Sequence, residues 1–387
     1  MNFSGSKKYW LHPTFVFCFI CVLLLLLISS VKDIDQFGSL IYDTRRMLIL
    51  LLSANLIGFT FAFIFCELAF RSNKRHHISI QNVLIFNGFK QLFIIWFSIF
   101  FIETIYSKGL PIFGYLGIPS PSYDTYGIPK IHGFENSIYF YLSIGAFFKY
   151  FILNKKKSWL VIFCLIIYPV LLTNRGTILI LFILLAGCYI TFSKINLKFI
   201  IMTFVSILLV VLIFSMIGNA RAEFDISEVF DSSSLGVSKS YLIWPLLYFV
   251  SPIYNLTYTT LMTQPQYNFF PINTLSNFIP GAAERVETSR QYLVVEFLNA
   301  SSGFIGSYLD WGLIGIFLIC FIIGFIGHVF WKFSSSIKFI PILITFNLLV
   351  FLSFFGPFFT NPAYLLLLIL LLKFSKVKQS RINPALF

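Results

Sequence analysis

Residues 158–192 read SWLVIFCLIIYPVLLTNRGTILILFILLAGCYITF. The stretch holds no acid and one base, Arg175. As a single helix it would be about 52 Å long, whereas the hydrocarbon of a bilayer is about 30 Å thick. It must break, and Thr173-Asn174-Arg175-Gly176 is the only polar break available. Two apolar helices joined by a tight turn form a membrane hairpin, and that reading sets the fold class.

The rest of the chain agrees. Of 387 residues, 58% are hydrophobic, 11% are charged and 50 are Phe. Soluble domains carry roughly 45–50% apolar and roughly 25% charged residues. The composition excludes a soluble enzyme, a disordered protein and a disulfide scaffold. All six cysteines, the Cys18-x-x-Cys21 pair among them, sit in apolar runs and read as small buried residues.

Runs long enough to span occur at 14–31, 47–70, 83–104, 134–153, 158–172, 176–192, 199–218, 304–330, 339–356 and 359–373. They predict an all-α, polytopic integral membrane protein of about ten helices, with nine to twelve possible, forming a single domain over 1–387. Lys7 and Lys8 precede the first run, but no small-residue cleavage site follows it, so it reads as an uncleaved first helix. The net charge of +13 sits mostly in short gaps free of Asp and Glu, such as Arg71 to Arg75, Lys155 to Lys157 and Lys373 to Arg381. That is the positive-inside pattern, so both termini are expected in the cytoplasm, and it argues against nucleic acid as a partner.

Two large loops then face outward, 105–133 and 219–303. Within the second, 241–262 is apolar enough to span, but Pro245, Pro252 and Asn255 interrupt it. We read it as a re-entrant or interfacial segment, since irregular backbone is tolerated where protein or a cavity covers it.

Few residues offer chemistry. Walker, dinucleotide-binding, zincin and nucleophile-elbow motifs are absent from the sequence. Asp33-Ile34-Asp35 is a D-x-D, a pattern used to hold divalent ions, yet any short polar loop can supply it. Arg175 stands at the outer mouth of the hairpin, where its planar fork either grips a phosphate or anchors the helix at the interface. Arg221, Arg285 and Arg290 lie in a mostly acidic loop, where they either pair with Glu223, Glu284 and Glu287 or line an anionic site. His132 and Glu135 stand where a helix begins; either could act as a general base, and Glu135 also suits the helix dipole. Charges inside apolar runs are few: Glu67, Lys90, Glu103 and Asp310. Asp310 at such depth is a functional candidate or pairs with a neighbouring cation. Around it, Gly303, Gly306, Gly312 and Gly315 recur at spacings that permit close helix contact.

Four stretches carry a family resemblance: Tyr126 to Gly133 (YGIPKIHG), Thr173 to Gly176 (TNRG), Ser251 to Asn255 (SPIYN) and Gly306 to Gly312 (GSYLDWG). With the topology and the abundant Phe and Ile, the chain resembles the O-antigen polymerases (Wzy-type), the repeat-unit polymerases of bacterial surface polysaccharides. The resemblance implies a GT-C-like fold in the bacterial inner membrane. It implies a metal-independent glycosyltransferase with no cofactor. Such an enzyme moves a growing glycan from undecaprenyl pyrophosphate to the non-reducing end of a new lipid-linked repeat. An O-antigen ligase or a lipid-linked oligosaccharide flippase is the alternative. The implied partners are the undecaprenyl-pyrophosphate-linked oligosaccharide, the lipid bilayer and a chain-length regulator protein. The family's loop arginines correspond here to Arg175, Arg221, Arg285 or Arg290. On the residues themselves, Tyr308 and Asp310 are further candidate substrate contacts, and the candidate base is His132 or Glu284, with His132 favoured because Glu284 adjoins Arg285. The chain departs from the family in its first large loop, which carries Lys108 and Lys130 but no Arg.

Overall fold

The computed structural model describes residues 12–31, 35–69, 82–122, 125–153, 158–192, 201, 205, 243–278, 293–294, 302–334 and 337–379. Among the described residues the helices longer than ten residues are α1 (Pro13–Ser30), α2 (Ile41–Ala69), α3 (Phe89–Tyr106), α4 (Ile131–Leu153), α5 (Ser158–Leu171), α6 (Arg175–Phe192), α7 (Ile243–Met262), α8 (Ile305–Phe333), α9 (Ile340–Leu352) and α10 (Pro362–Phe374). Strand β1 (Asn82–Phe86) pairs antiparallel with β2 (Ser375–Gln379), in the register Asn82 to Gln379 and Phe86 to Ser375.

The chain is a membrane-embedded helical protein. Among the described residues, Pro13–Ser30, Ile41–Leu68, Phe89–Tyr106 and Ile305–Phe333 are long and apolar enough to cross a bilayer. Helices α9 and α10, of 13 residues each, are shorter than the runs read from sequence. At about 1.5 Å per residue they are about 20 Å long. Of the expected run 199–218, only 201 and 205 are described. The expected run 83–104 is corrected at its start. Residues 82–86 form β1, and Gly88 in the left-handed region (φ 64°) turns the chain into α3.

The 158–192 stretch divides where its polar residues stand. Helix α5 ends at Leu171, and α6 opens at Arg175 with the Asn174 Oδ1 accepting from the Thr177 N–H at 3.0 Å. This is an ordinary N-cap, which satisfies one of the free amides of a helix start.

Two apolar cores meet at α9. One gathers α1, α2, α7 and α8; the other gathers α4, α5, α6 and α10. Phe346 and Val350 of α9 belong to the first, Ile344 and Leu348 to the second. A helix apolar on every side belongs in lipid or in a protein interior, and α9 is enclosed by protein along its length. Helix α4 is buried without interruption from Ser137 to Phe148.

The closest packing joins α2 and α8. A Cβ on Gly58 would stand 2.1 Å from the Phe321 carbonyl oxygen, and one on Gly324 would stand 2.2 Å from that of Asn55. The Asn55 amide donates to the Cys320 carbonyl at 3.2 Å. Without water to drive association, small residues and interhelical hydrogen bonds hold such helices together.

The bundle has two distinct ends. At the near end lie the ribbon, the Lys332–Glu67 ion pair (2.7 Å), and His12, whose Nε2 is 3.1 Å from Nδ1 of His328. At the far end lie the starts of α4, α8 and α10: the Ser137 hydroxyl donates to the Ala363 carbonyl at 2.7 Å, and the Gly303 N–H to that of Ser353 at 2.9 Å. Helix α7 touches far-end groups along its length. Phe249 packs on Phe355, Tyr254 on Phe37, and the carbonyl of Thr260 accepts from Tyr308. The helix therefore lies across the far end.

Candidate functional site

Helix α3 is exposed along most of its surface and buries just Trp96 and Glu103. These two lie two turns apart on one face, turned toward α4. Glu103 is 0% exposed. A carboxylate so placed needs partners, because burying an unpaired charge is very costly. Its partners come from the end of the first large loop. The Ile128 N–H donates to Oε1 at 3.3 Å, and Nδ1 of His132 lies 2.8 Å from Oε2. The loop closes tightly here. Gly127 has φ 93°, and a Cβ on it would stand 3.0 Å from His132 Nδ1 and 3.1 Å from Glu103 Oε2. The Gly127 N–H is itself held by the Ser107 hydroxyl at 2.8 Å.

His132 and Glu135 are one turn apart near the start of α4, hence on one face. Glu135 is also 0% exposed, and its Oε2 approaches the same Nδ1 at 3.2 Å. Two buried carboxylates thus converge on one imidazole nitrogen. The three donor atoms lie within 4.8 Å of one another, which suits either a shared proton or a metal ion. Around them sit Tyr126, whose ring meets His132 edge-on, and Tyr168, whose hydroxyl donates to Asn136 at 3.4 Å. Burial pushes the Tyr126 hydroxyl above the usual tyrosine range, so it stays a donor, paired with Thr104 Oγ1 at 3.0 Å.

Asp310 forms a second polar cluster at the same end. It is 0% exposed and faces no cation among the described residues. Oδ1 accepts from Asn268 Nδ2 (3.0 Å), Asn273 N (3.0 Å) and Asn273 Nδ2 (2.9 Å). Oδ2 accepts from Thr274 N (2.8 Å) and Oγ1 (2.7 Å). The Trp311 indole donates to the Asn268 carbonyl at 2.7 Å, and the Tyr308 hydroxyl to the carbonyls of Thr260 and Thr263. Asp310, Trp311 and Tyr308 therefore pin residues 263–278 over the start of α8. This strap turns Tyr267, Phe269 and Phe270 outward. Just beyond Asp310, α8 kinks at Trp311 and Gly312 (φ 63°).

Of the residues singled out by sequence, the structure places His132 in the first cluster and Tyr308 and Asp310 in the second. Arg175 is placed by its backbone as the first residue of α6. Arg221, Glu284, Arg285 and Arg290 lie outside the described residues. Glu103 and Glu135 had weaker sequence signals, a lone acid in an apolar helix and a plausible dipole partner. Neither signal names the other as neighbour. Comparison with protein-family models, with curated proteins and with solved structures finds no match.

Proposed function

We propose that the chain is a surface-polysaccharide polymerase of the bacterial inner membrane, with a GT-C-like arrangement of about ten spans and both termini in the cytoplasm. It transfers a growing glycan from undecaprenyl pyrophosphate to the non-reducing end of a new lipid-linked repeat. The far end of the bundle is then the outward face.

The observation that carries this reading is the position of Arg175. It heads a helix capped by Asn174, at the turn of a hairpin between apolar helices. Tyr168, shortly before that turn, reaches Asn136, next to Glu135. The hairpin mouth and the acid–imidazole cluster thus share one end. The start of a helix favours anions, and an arginine fork matches phosphate oxygens. When the sugar–phosphate bond breaks, negative charge grows on the lipid pyrophosphate. Arg175 meets that charge, with Arg221, Arg285 and Arg290 supplied by the loop above. The acceptor hydroxyl loses its proton to His132 or Glu284.

The test is the glycan ladder of cells lacking the protein. Lipid capped by a single repeat unit supports the polymerase. Bare lipid core would instead point to a ligase or a flippase and overturn the reading.

A further inference from the structure

We propose that Glu103, His132 and Glu135 bind one divalent cation of the zinc or manganese class. The argument begins with a shortage of protons. Nδ1 of His132 carries at most one hydrogen, and the 2.8 Å contact directs it to Glu103. Glu135 Oε2 stands 3.2 Å from the same atom, and among the described residues no donor makes a well-formed hydrogen bond to either oxygen of this fully buried carboxylate. A proton can bridge one pair; a cation can satisfy all three donors together.

The geometry suits that role. Zinc binds imidazole nitrogen and carboxylate oxygen at about 2.0–2.2 Å, which puts neighbouring donors about 3.0–3.6 Å apart. The separations of 2.8 and 3.2 Å, within a cluster no wider than 4.8 Å, need only small adjustments. Charge closes as well. Two carboxylates and a neutral imidazole are balanced by a dication, which removes the cost of a buried net charge. The imidazole nitrogen favours zinc, the two carboxylates also suit manganese, and calcium and magnesium, which prefer oxygen alone, fit less well. The Ile128 N–H on Glu103 Oε1 is the outer hydrogen bond that orients a ligating carboxylate. The cation fastens α3 to the start of α4 and to the loop between them. It takes no part in the sugar transfer proposed above, and it leaves Glu284 as the base of that reaction.

The test uses the full chain purified in detergent from cells supplied with zinc and manganese, passed over a chelating resin and assayed for metal by mass spectrometry. The wild type is expected to hold about one equivalent, and Glu135→Gln on the order of tenfold less. Asp33→Asn with Asp35→Asn should keep the wild-type content. After stripping with a strong chelator, added zinc or manganese should raise the unfolding temperature of the wild type and leave that of Glu135→Gln unchanged. Glu103→Asp, which keeps the charge but shortens the reach, serves if Glu135→Gln fails to fold. It too should lose the metal. A metal-free wild type with no thermal response would overturn the proposal, leaving a proton-shared cluster. So would variants that keep the full metal content. Neither result bears on the glycan ladder, so the two proposals fail separately.

Discussion

Asp310 holds its place through amide and hydroxyl donors alone. Its five hydrogen bonds come from Asn268, Asn273 and Thr274. Replacing it with Asn turns one acceptor into a donor that faces other donors. Asp310→Asn is expected to lower stability by about 2–4 kcal/mol, given the strength of hydrogen bonds to a charged group. Thermal unfolding in detergent reads the loss, and proteolysis within 263–278 should speed up. Arg175 is tested differently. Arg175→Lys keeps the charge but loses the fork. If the polymerase reading holds, it should cost ~2–4 kcal/mol of barrier, or about 30- to 1000-fold in polymer formation, in a folded and inserted protein. Wild-type ladders from both Arg175→Ala and Arg285→Ala at normal expression would remove the pyrophosphate clamp. Asp310 was legible in the sequence as an ionisable group in an apolar run. Its partners were not, because Asn268, Asn273 and Thr274 read as ordinary loop residues until the strap folds over α8. The convergence of Glu103 on His132 was equally hidden, since the loop between them fixes no distance in advance.

At the level of elements, length and polarity were the legible quantities. The 158–192 stretch exceeds a bilayer and has one polar break, so its division followed from arithmetic. Helix–helix contact depends on the facing surface, which one segment cannot reveal. The glycines around Asp310 suggested close packing, yet they serve the kink and the loops: Gly315 meets the Ser307 carbonyl, and Gly303 that of Gly356. The close helix contact belongs to Gly58 and Gly324. A side chain at Gly324 must push α2 away from α8, and overpacking of this kind typically costs about 1–3 kcal/mol. Gly324→Leu should therefore lower the unfolding midpoint, with a larger effect than Gly133→Leu. A Cβ at Gly133 meets nothing closer than the Ala363 Cβ at 3.8 Å.

For the whole molecule, the expected topology sets out a direct experiment. Reporter fusions at Ser233 and Ser301 should both read as outside the cytoplasm. A cytoplasmic signal at Ser301 would mean that 241–262 crosses the membrane, against the contacts that lay α7 over the far end. The ribbon of β1 and β2 also bears on how the protein is made. Asn82 pairs with Gln379, and the Asn87 N–H reaches the carbonyl of Phe374 at 2.9 Å. The ribosome delivers these partners far apart in time. At about 5–20 residues per second, β1 waits tens of seconds for its strand. Helix α3 thus enters the membrane before the clasp at its base exists, and β2 closes the clasp only after α10 has been made. A chain whose translation stops just short of Ser375 would own every described helix and lack the clasp. Its β1 edge would stay open to strands of other molecules, which makes residues 375–379 a checkpoint for assembly.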